Sequence, residues 1–409
     1  MAPTHLPPDS PPAPRRDLGV AITGLGLVTC LGANAPLTWA ALLAGETGLA
    51  PSPAGRFADV AFARCGLASG PATDDNRARA RALLAIACDE ALGAHGTARG
   101  AERWGLSLGT SLAAQASSAP FWTQYLADPA TADYALLASY DAELWLDALA
   151  ERFDVRGPAC AVSSACAAGA SAIAQAAQWL ITGAADRVLA CGADPVDRYT
   201  LAGFHALGAL AKGPLEPLSA ARDGMALSDG FSCLVLERER DARAAGRPIL
   251  ARLAGAGESS DAFHRTQPDP TGAGAALAMR RALASANLAP DAIDFVSLHA
   301  TATVANDAAE VAAMRTVFED HLDRLALHAA KPALGHSLGA AGGVEAALCV
   351  LALVHQVRPP TVRSRGTDPA FGPLVVDDHA TPAAIRHAMS NAFGFGGCNA
   401  SLVLSRSDA

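Results

Sequence analysis

Short apolar runs alternate with helical repeats along the chain. Val20-Ala-Ile-Thr reads as a buried strand, and Gly24-Leu-Gly26 as a turn leading toward a helix. Helical periodicity follows over Arg79–Leu92, then a strand over Trp104–Leu108. The polar and aromatic stretch Pro120–Asp154 is expected to wrap a surface or a partner. Next, Ala161-Val-Ser-Ser-Ala-Cys-Ala-Ala-Gly169 leads into an Ala-rich helix that ends near Thr182 at Gly183, and Arg187–Cys191 is the next strand. The pattern then restarts. A strand at Pro248–Leu253 ends in a turn at Gly255 and Gly257, with a helix at Gly274–Asn287 and a strand at Asp294–Leu298. The run Gly335-His-Ser-Leu-Gly-Ala-Ala-Gly-Gly343 opens a final helix to about Gln356. Strand, helix, strand, then a small-residue turn opening an Ala-rich helix occurs twice, which predicts a duplicated α/β unit with largely parallel sheets.

Composition narrows this picture. The 409 residues are 51% hydrophobic and 17% charged, enough to fill a large core in two or three units. The reading divides the chain into a tail at 1–18 and halves at 19–246 and 247–409. The first 18 residues hold six prolines and no apolar core, so they read as a disordered tail rather than a signal peptide. The longest apolar stretch, Val344–Val357, is interrupted by Glu345 and His355, and no membrane span is expected. A net charge of −9 with 5% aromatic residues disfavours nucleic acid. The nine cysteines never form CxxC, which weakens zinc and disulfide readings and suggests a reducing, cytoplasmic compartment. Gly24, Gly26 and Gly32 miss the G-x-G-x-x-G spacing of a dinucleotide site.

Four segments carry candidate chemistry. Cys166 stands at a helix start, where free N–H groups and the helix dipole favour thiolate over thiol, although a lone cysteine among alanines can equally be packing. His299 ends a strand in Leu298-His299-Ala-Thr-Ala-Thr303, with Asn306, Asp307 and Glu310 following. His336 opens the last helix in Lys331-Pro-Ala-Leu-Gly-His336, with Glu345 further along. Each histidine taken singly could be a cap or a core group. Asn391-Ala-Phe-Gly-Phe-Gly-Gly-Cys-Asn399 suggests a sharp turn with exposed N–H groups. Lys331 is one of only two lysines, which suggests that a compact ammonium is needed there.

Together these segments resemble the elongating β-ketoacyl-acyl carrier protein synthases of the thiolase-like superfamily, over about Val20–Ser405. Ser163-Ser164-Ala-Cys166 matches the nucleophile turn. His299-x-Thr-x-Thr303 with Asn306-Asp307 matches the first histidine motif, and Lys331-x-x-x-Gly-His336 through Glu345 the second. Asn391-x-Phe-Gly-Phe-Gly-Gly matches the C-terminal turn, and Arg222-Asp-Gly a loop beside the pocket mouth. Ala300 and Ala302 stand where the family usually has glycine, Cys398 where it has threonine, and Leu218-Ser219 and Ser228-Asp229 depart from the usual loop. These departures suggest a specialised, secondary-metabolite type of enzyme. The runner-up is a thiolase, which would use a second cysteine near Cys398.

The resemblance implies an αβαβα thiolase-like fold with two mixed, largely parallel sheets. It implies acyl transfer to Cys166, then decarboxylative condensation with malonyl-carrier protein, with His299 and His336 stabilising the enolate. Backbone N–H groups of Cys166 and Phe395 would form the oxyanion hole, and Phe395 could gate the acyl pocket. Thr301 and Thr303 would bind the pantetheine amides. Lys331 paired with Glu345 would position His336, with Asn391 also in support. No cofactor is expected to be bound, since phosphopantetheine arrives on acyl carrier protein. A homodimer is expected, or a heterodimer with a homologous partner. Arg77, Arg79 and Arg81 form the densest basic cluster for docking an acidic carrier.

Overall fold

A computed structural model of the chain describes residues 18–51, 57, 64–71, 76–93, 102–111, 118–140, 142–364 and 366–409. Apart from Leu18, the expected tail lies outside the described residues. Ten strands make up the two repeats. The first has β1 (Val20–Thr29), β2 (Trp104–Gly109), β3 (Ala159–Val162), β4 (Arg187–Asp194) and β5 (Gly230–Arg238). The second has β6 (Ala251–Ser260), β7 (Phe295–Ser297), β8 (Ala326–His328), β9 (His387–Gly394) and β10 (Cys398–Ser405). The sheet order is β1-β5-β4-β2-β3 in the first repeat and β6-β10-β9-β7-β8 in the second, so the topologies coincide strand for strand. In each, the inner pairs are antiparallel and the outer pairs parallel. The two expected sheets join through a short antiparallel seam, Val20–Ile22 against Ala251–Leu253, into one eleven-stranded sheet that includes an edge strand at Val375–Val376.

Helices α1 (Asn76–Leu92), α2 (Ala168–Thr182) and α3 (Ala273–Ala286) fall where the apolar periodicity places them; α4 (Val304–Phe318) is not among the elements expected from the sequence, and α5 (Ala341–His355) again falls where the pattern places it. Strands of both repeats pack with α2 and α5 in one core, which makes these helices the central layer. A Cβ on Gly169 would sit 2.6 Å from the Gly343 nitrogen, so the two helices cross backbone to backbone. This brings the turns that precede them, carrying Cys166 and His336, to one place. The segment Leu338–His355 is long and apolar enough to cross a membrane by composition, but 83% of it is buried inside the protein. Its Glu345, which seemed to break the run, is neutralised internally by Lys331.

Two expectations need correction. Gly24-Leu-Gly26 is not a turn and lies inside β1; Gly255 and Gly257 likewise lie inside β6. A Cβ at Gly24 or Gly26 would fall 2.0 or 1.8 Å from the carbonyl oxygens of Ala91 and Ala87 in α1. At Gly255 or Gly257 it would fall 2.2 Å from those of Ala282 and Ala278 in α3. The glycines therefore let an outer helix lie directly on its strand, once in each repeat. The second correction is Arg79, which is not part of a surface patch: it is 4% exposed and pairs with buried Asp229 at 2.6 Å. The stretch Pro120–Asp154 contains helices at Ala119–Ala127 and Glu143–Phe153, and buried Trp145 and Phe153 anchor the latter against α1.

Candidate active site

Cys166 lies between β3 and α2, on a turn whose Ala165 takes a left-handed φ of 49°. That strained backbone projects the thiol toward His336, and Sγ lies 3.1 Å from Nε2. A sharp turn is also needed opposite, where a Cβ on Gly394 would come within 2.9 Å of the Cys166 nitrogen. The helix start was expected to favour thiolate, but burial outweighs it. Desolvation pushes the Cys166 thiol up to about 12, against the lowering influence of Lys331 and of the Phe395 N–H aimed at it. The resting pair is a thiol beside an imidazole.

Both histidines are neutral. Burial first, then the Lys331 charge, holds His299 and His336 well below the ordinary histidine range. Their rings stand 5.3 Å apart and nearly perpendicular, at 82°. Glu310 fixes the His299 turn by accepting the N–H groups of His299 and Ala300, both at 2.8 Å. Asn391 donates to Glu310 at 3.4 Å and accepts from Ser401 at 2.9 Å, so its supporting place lies behind His299. Ala300 and Ala302 adopt φ of 30° and 61°, a glycine-type backbone that costs an alanine roughly 1–2 kcal/mol per residue.

Lys331 corrects the expected arrangement. Its ammonium donates to Glu345 at 2.6 Å, as anticipated, but its other contacts are the carbonyl oxygen of His299 and, at 3.5 Å, His299 Nδ1. It does not hold His336, which reaches the same site through its own backbone, donating to Ala226 O at 2.7 Å. An ammonium beside Nδ1 makes that nitrogen an acceptor and leaves the ring proton of His299 on Nε2. Glu310, whose carboxyl burial raises to about 7, had no assigned role in the sequence reading. Its position in the first turns of α4, after a histidine loop needing two N–H acceptors, was the available signal.

A cavity of about 340 Å³ opens onto Cys166, His299 and His336 and is also lined by Thr301, Thr303 and Phe395. The two threonine hydroxyls lie 2.9 Å apart, and Thr303 also caps α4. Phe395 stacks on Phe204 with ring centroids 5.7 Å apart. Asp223 of the Arg222-Asp-Gly loop lines the same cavity, and Arg222 is anchored on Asp368 at 2.8 Å. Cys398 is not among the lining residues, so the second cysteine of a thiolase is not brought to Cys166.

Comparison with known proteins agrees with this geometry. Residues 75–242 match the N-terminal domain of β-ketoacyl synthase, and residues 250–365 match the C-terminal domain. The chain belongs to the β-ketoacyl synthase family. Over 268 residues it is 41% identical to the mitochondrial 3-oxoacyl-[acyl-carrier-protein] synthase of Arabidopsis thaliana, covering 62% of this chain and 58% of that protein. It is also 41% identical over 251 residues to 3-oxoacyl-[acyl-carrier-protein] synthase 2 of Mycobacterium bovis, covering 59% and 60% respectively. The aligned region thus spans about three fifths of these relatives. Among solved structures, the ishigamide ketosynthase/chain length factor superposes with a TM-score of 0.88 at 31% identity, over 96% of this chain and 99% of that one. A β-ketoacyl synthase from Burkholderia phymatum gives 0.83 at 29% identity, over 95% and 99%.

Proposed function

We propose that this β-ketoacyl synthase family member catalyses decarboxylative Claisen condensation of an acyl thioester with malonyl-acyl carrier protein. The observation that carries the reading is the meeting of Cys166, His299 and His336 at one cavity, with the thiol 3.1 Å from a neutral imidazole. In loading, Cys166 attacks the acyl thioester while His336 Nε2 takes the thiol proton and returns it to the departing pantetheine sulfur. Malonyl-carrier protein then enters, and CO₂ leaves. The electron pair released moves onto the thioester oxygen, where the Nε2–H of His299, together with His336, stabilises the enolate. The carbanion attacks the acyl carbonyl on Cys166, with the N–H groups of Cys166 and Phe395 accommodating the oxyanion. Collapse of that adduct frees Cys166 and the β-ketoacyl-carrier product. Thr301 and Thr303 hydrogen-bond the pantetheine amides, and Phe395 gates the acyl side of the cavity.

The reading includes acyl carrier protein as partner, with phosphopantetheine arriving on it and no organic cofactor held by this chain. Arg77 and Arg81, both half-buried at the start of α1, are proposed to contribute to docking. A two-fold assembly is proposed, either with a second copy or with a homologous partner, as in the ketosynthase/chain length factor relative. Its nine free cysteines suit a reducing cytoplasm. The test supplies a panel of acyl-carrier proteins with malonyl-carrier protein and identifies products by mass spectrometry. A product longer by a two-carbon β-keto unit is expected; acyl-CoA cleavage or exchange without decarboxylation would overturn the reading in favour of a thiolase.

A further inference from the structure

Three thiols meet away from the active site. Cys88 of α1, Cys191 of β4 and Cys233 of β5 place their sulfur atoms within 4.8 Å of one another. All are at most 1% exposed, and Cys88 and Cys191 are 3.7 Å apart, sulfur to sulfur. Cys191 and Cys233 face each other directly in the antiparallel β4–β5 register, and Cys88 comes down on them from the helix above. They lie in the apolar cluster of Leu84, Leu106, Trp145 and Phe231, remote from the lining of the Cys166 cavity.

We propose that these three cysteines form a closed binding site for a soft monovalent metal ion, Cu(I). Sulfurs held by one ion at metal–sulfur distances of about 2.3 Å lie roughly 4 Å apart, and separations of 3.7 Å for Cys88–Cys191 and at most 4.8 Å for the other pairs need only small adjustments to reach that spacing. Thiolates select soft ions. Among the described residues no histidine, carboxylate or further cysteine joins the group, which disfavours the tetrahedral demand of zinc and suits two- or three-coordinate Cu(I). The site would join the outer helix α1 to the centre of the first sheet, as closed structural sites do.

The experiment uses the full chain carrying Cys166→Ala, so that the catalytic thiol does not contribute. Protein from cells grown with added copper is purified without oxygen, and its metal content is measured by mass spectrometry of the elements. A single copper per chain is expected, with an X-ray absorption spectrum showing sulfur-only ligands and a melting temperature above that of copper-free protein. Adding Cys191→Ala or, as the variant least disruptive to the sheet, Cys88→Ala should remove the copper and the temperature rise together. Adding Cys398→Ala should leave both unchanged. Absence of copper from the Cys166→Ala protein, or copper that persists after both core substitutions, overturns the proposal.

Discussion

Lys331 touches the carbonyl and Nδ1 of His299 and not the ring of His336, which separates the two half-reactions at the scale of single residues. Lys331→Ala is therefore expected to leave acyl loading on Cys166 within a few-fold of normal. Release of CO₂ from malonyl-carrier protein should fall about 10²-fold, the typical loss when an oxyanion donor is misplaced. Loss of the partner is tolerable because Glu345, whose carboxyl burial raises to about 7, can take a proton. Equal loss of loading, followed by intact mass, would show that Lys331 acts through His336 instead. The thiol and imidazole make a second prediction. Cys166 is raised to about 12 and His336 lowered well below the ordinary histidine range, so neither group changes charge between about pH 6.5 and 8. Iodoacetamide alkylation of Cys166 should show no sigmoid step in that window; a step would reveal a thiolate–imidazolium pair. The sequence singles out Cys166 and both histidines because their motifs are local, and the structure brings the three side chains to one cavity. It assigned Lys331 to the nearer histidine in sequence, since only the three-dimensional return of His299 onto Lys331 shows the real contact.

The elements were legible wherever apolar periodicity was strong, and misread where glycine was taken for a turn signal. Gly24, Gly26, Gly255 and Gly257 are strand residues made small by a helix that lies on them, a tertiary cause that no local pattern reveals. Gly26→Ala and Gly257→Ala should each destabilise the fold by roughly 1–3 kcal/mol or more, the cost of overpacking. By contrast, Gly203 lies in the helix Arg198–Ala206 with nothing among the described residues within 4 Å of an added Cβ. Gly203→Ala should stabilise by about 0.4–1 kcal/mol, because the unfolded chain loses freedom. Urea melts of the three variants check both signs, and a harmless Gly26→Ala would contradict the close packing of α1 on β1.

For the whole molecule, the doubled element order predicted the duplicated topology, but not the seam that joins the sheets. That seam is three residues on each side, too short to mark itself in sequence. The two repeats share the α2–α5 layer and one apolar core, and the cavity is lined by Cys166 from one and by His299 and His336 from the other. Calorimetry should accordingly show a single unfolding transition rather than one for each half. The most direct measurement of the central claim is a chase experiment on the acyl-enzyme. Wild-type protein is loaded with acyl-carrier protein, the adduct is mapped by mass spectrometry, and radiolabelled malonyl-carrier protein is added. The account predicts an adduct on Cys166 that disappears as labelled CO₂ is released; in His299→Ala and His336→Ala protein, CO₂ release falls about 10²–10³-fold. An adduct on another cysteine, or undiminished CO₂ release from both histidine variants, would contradict it.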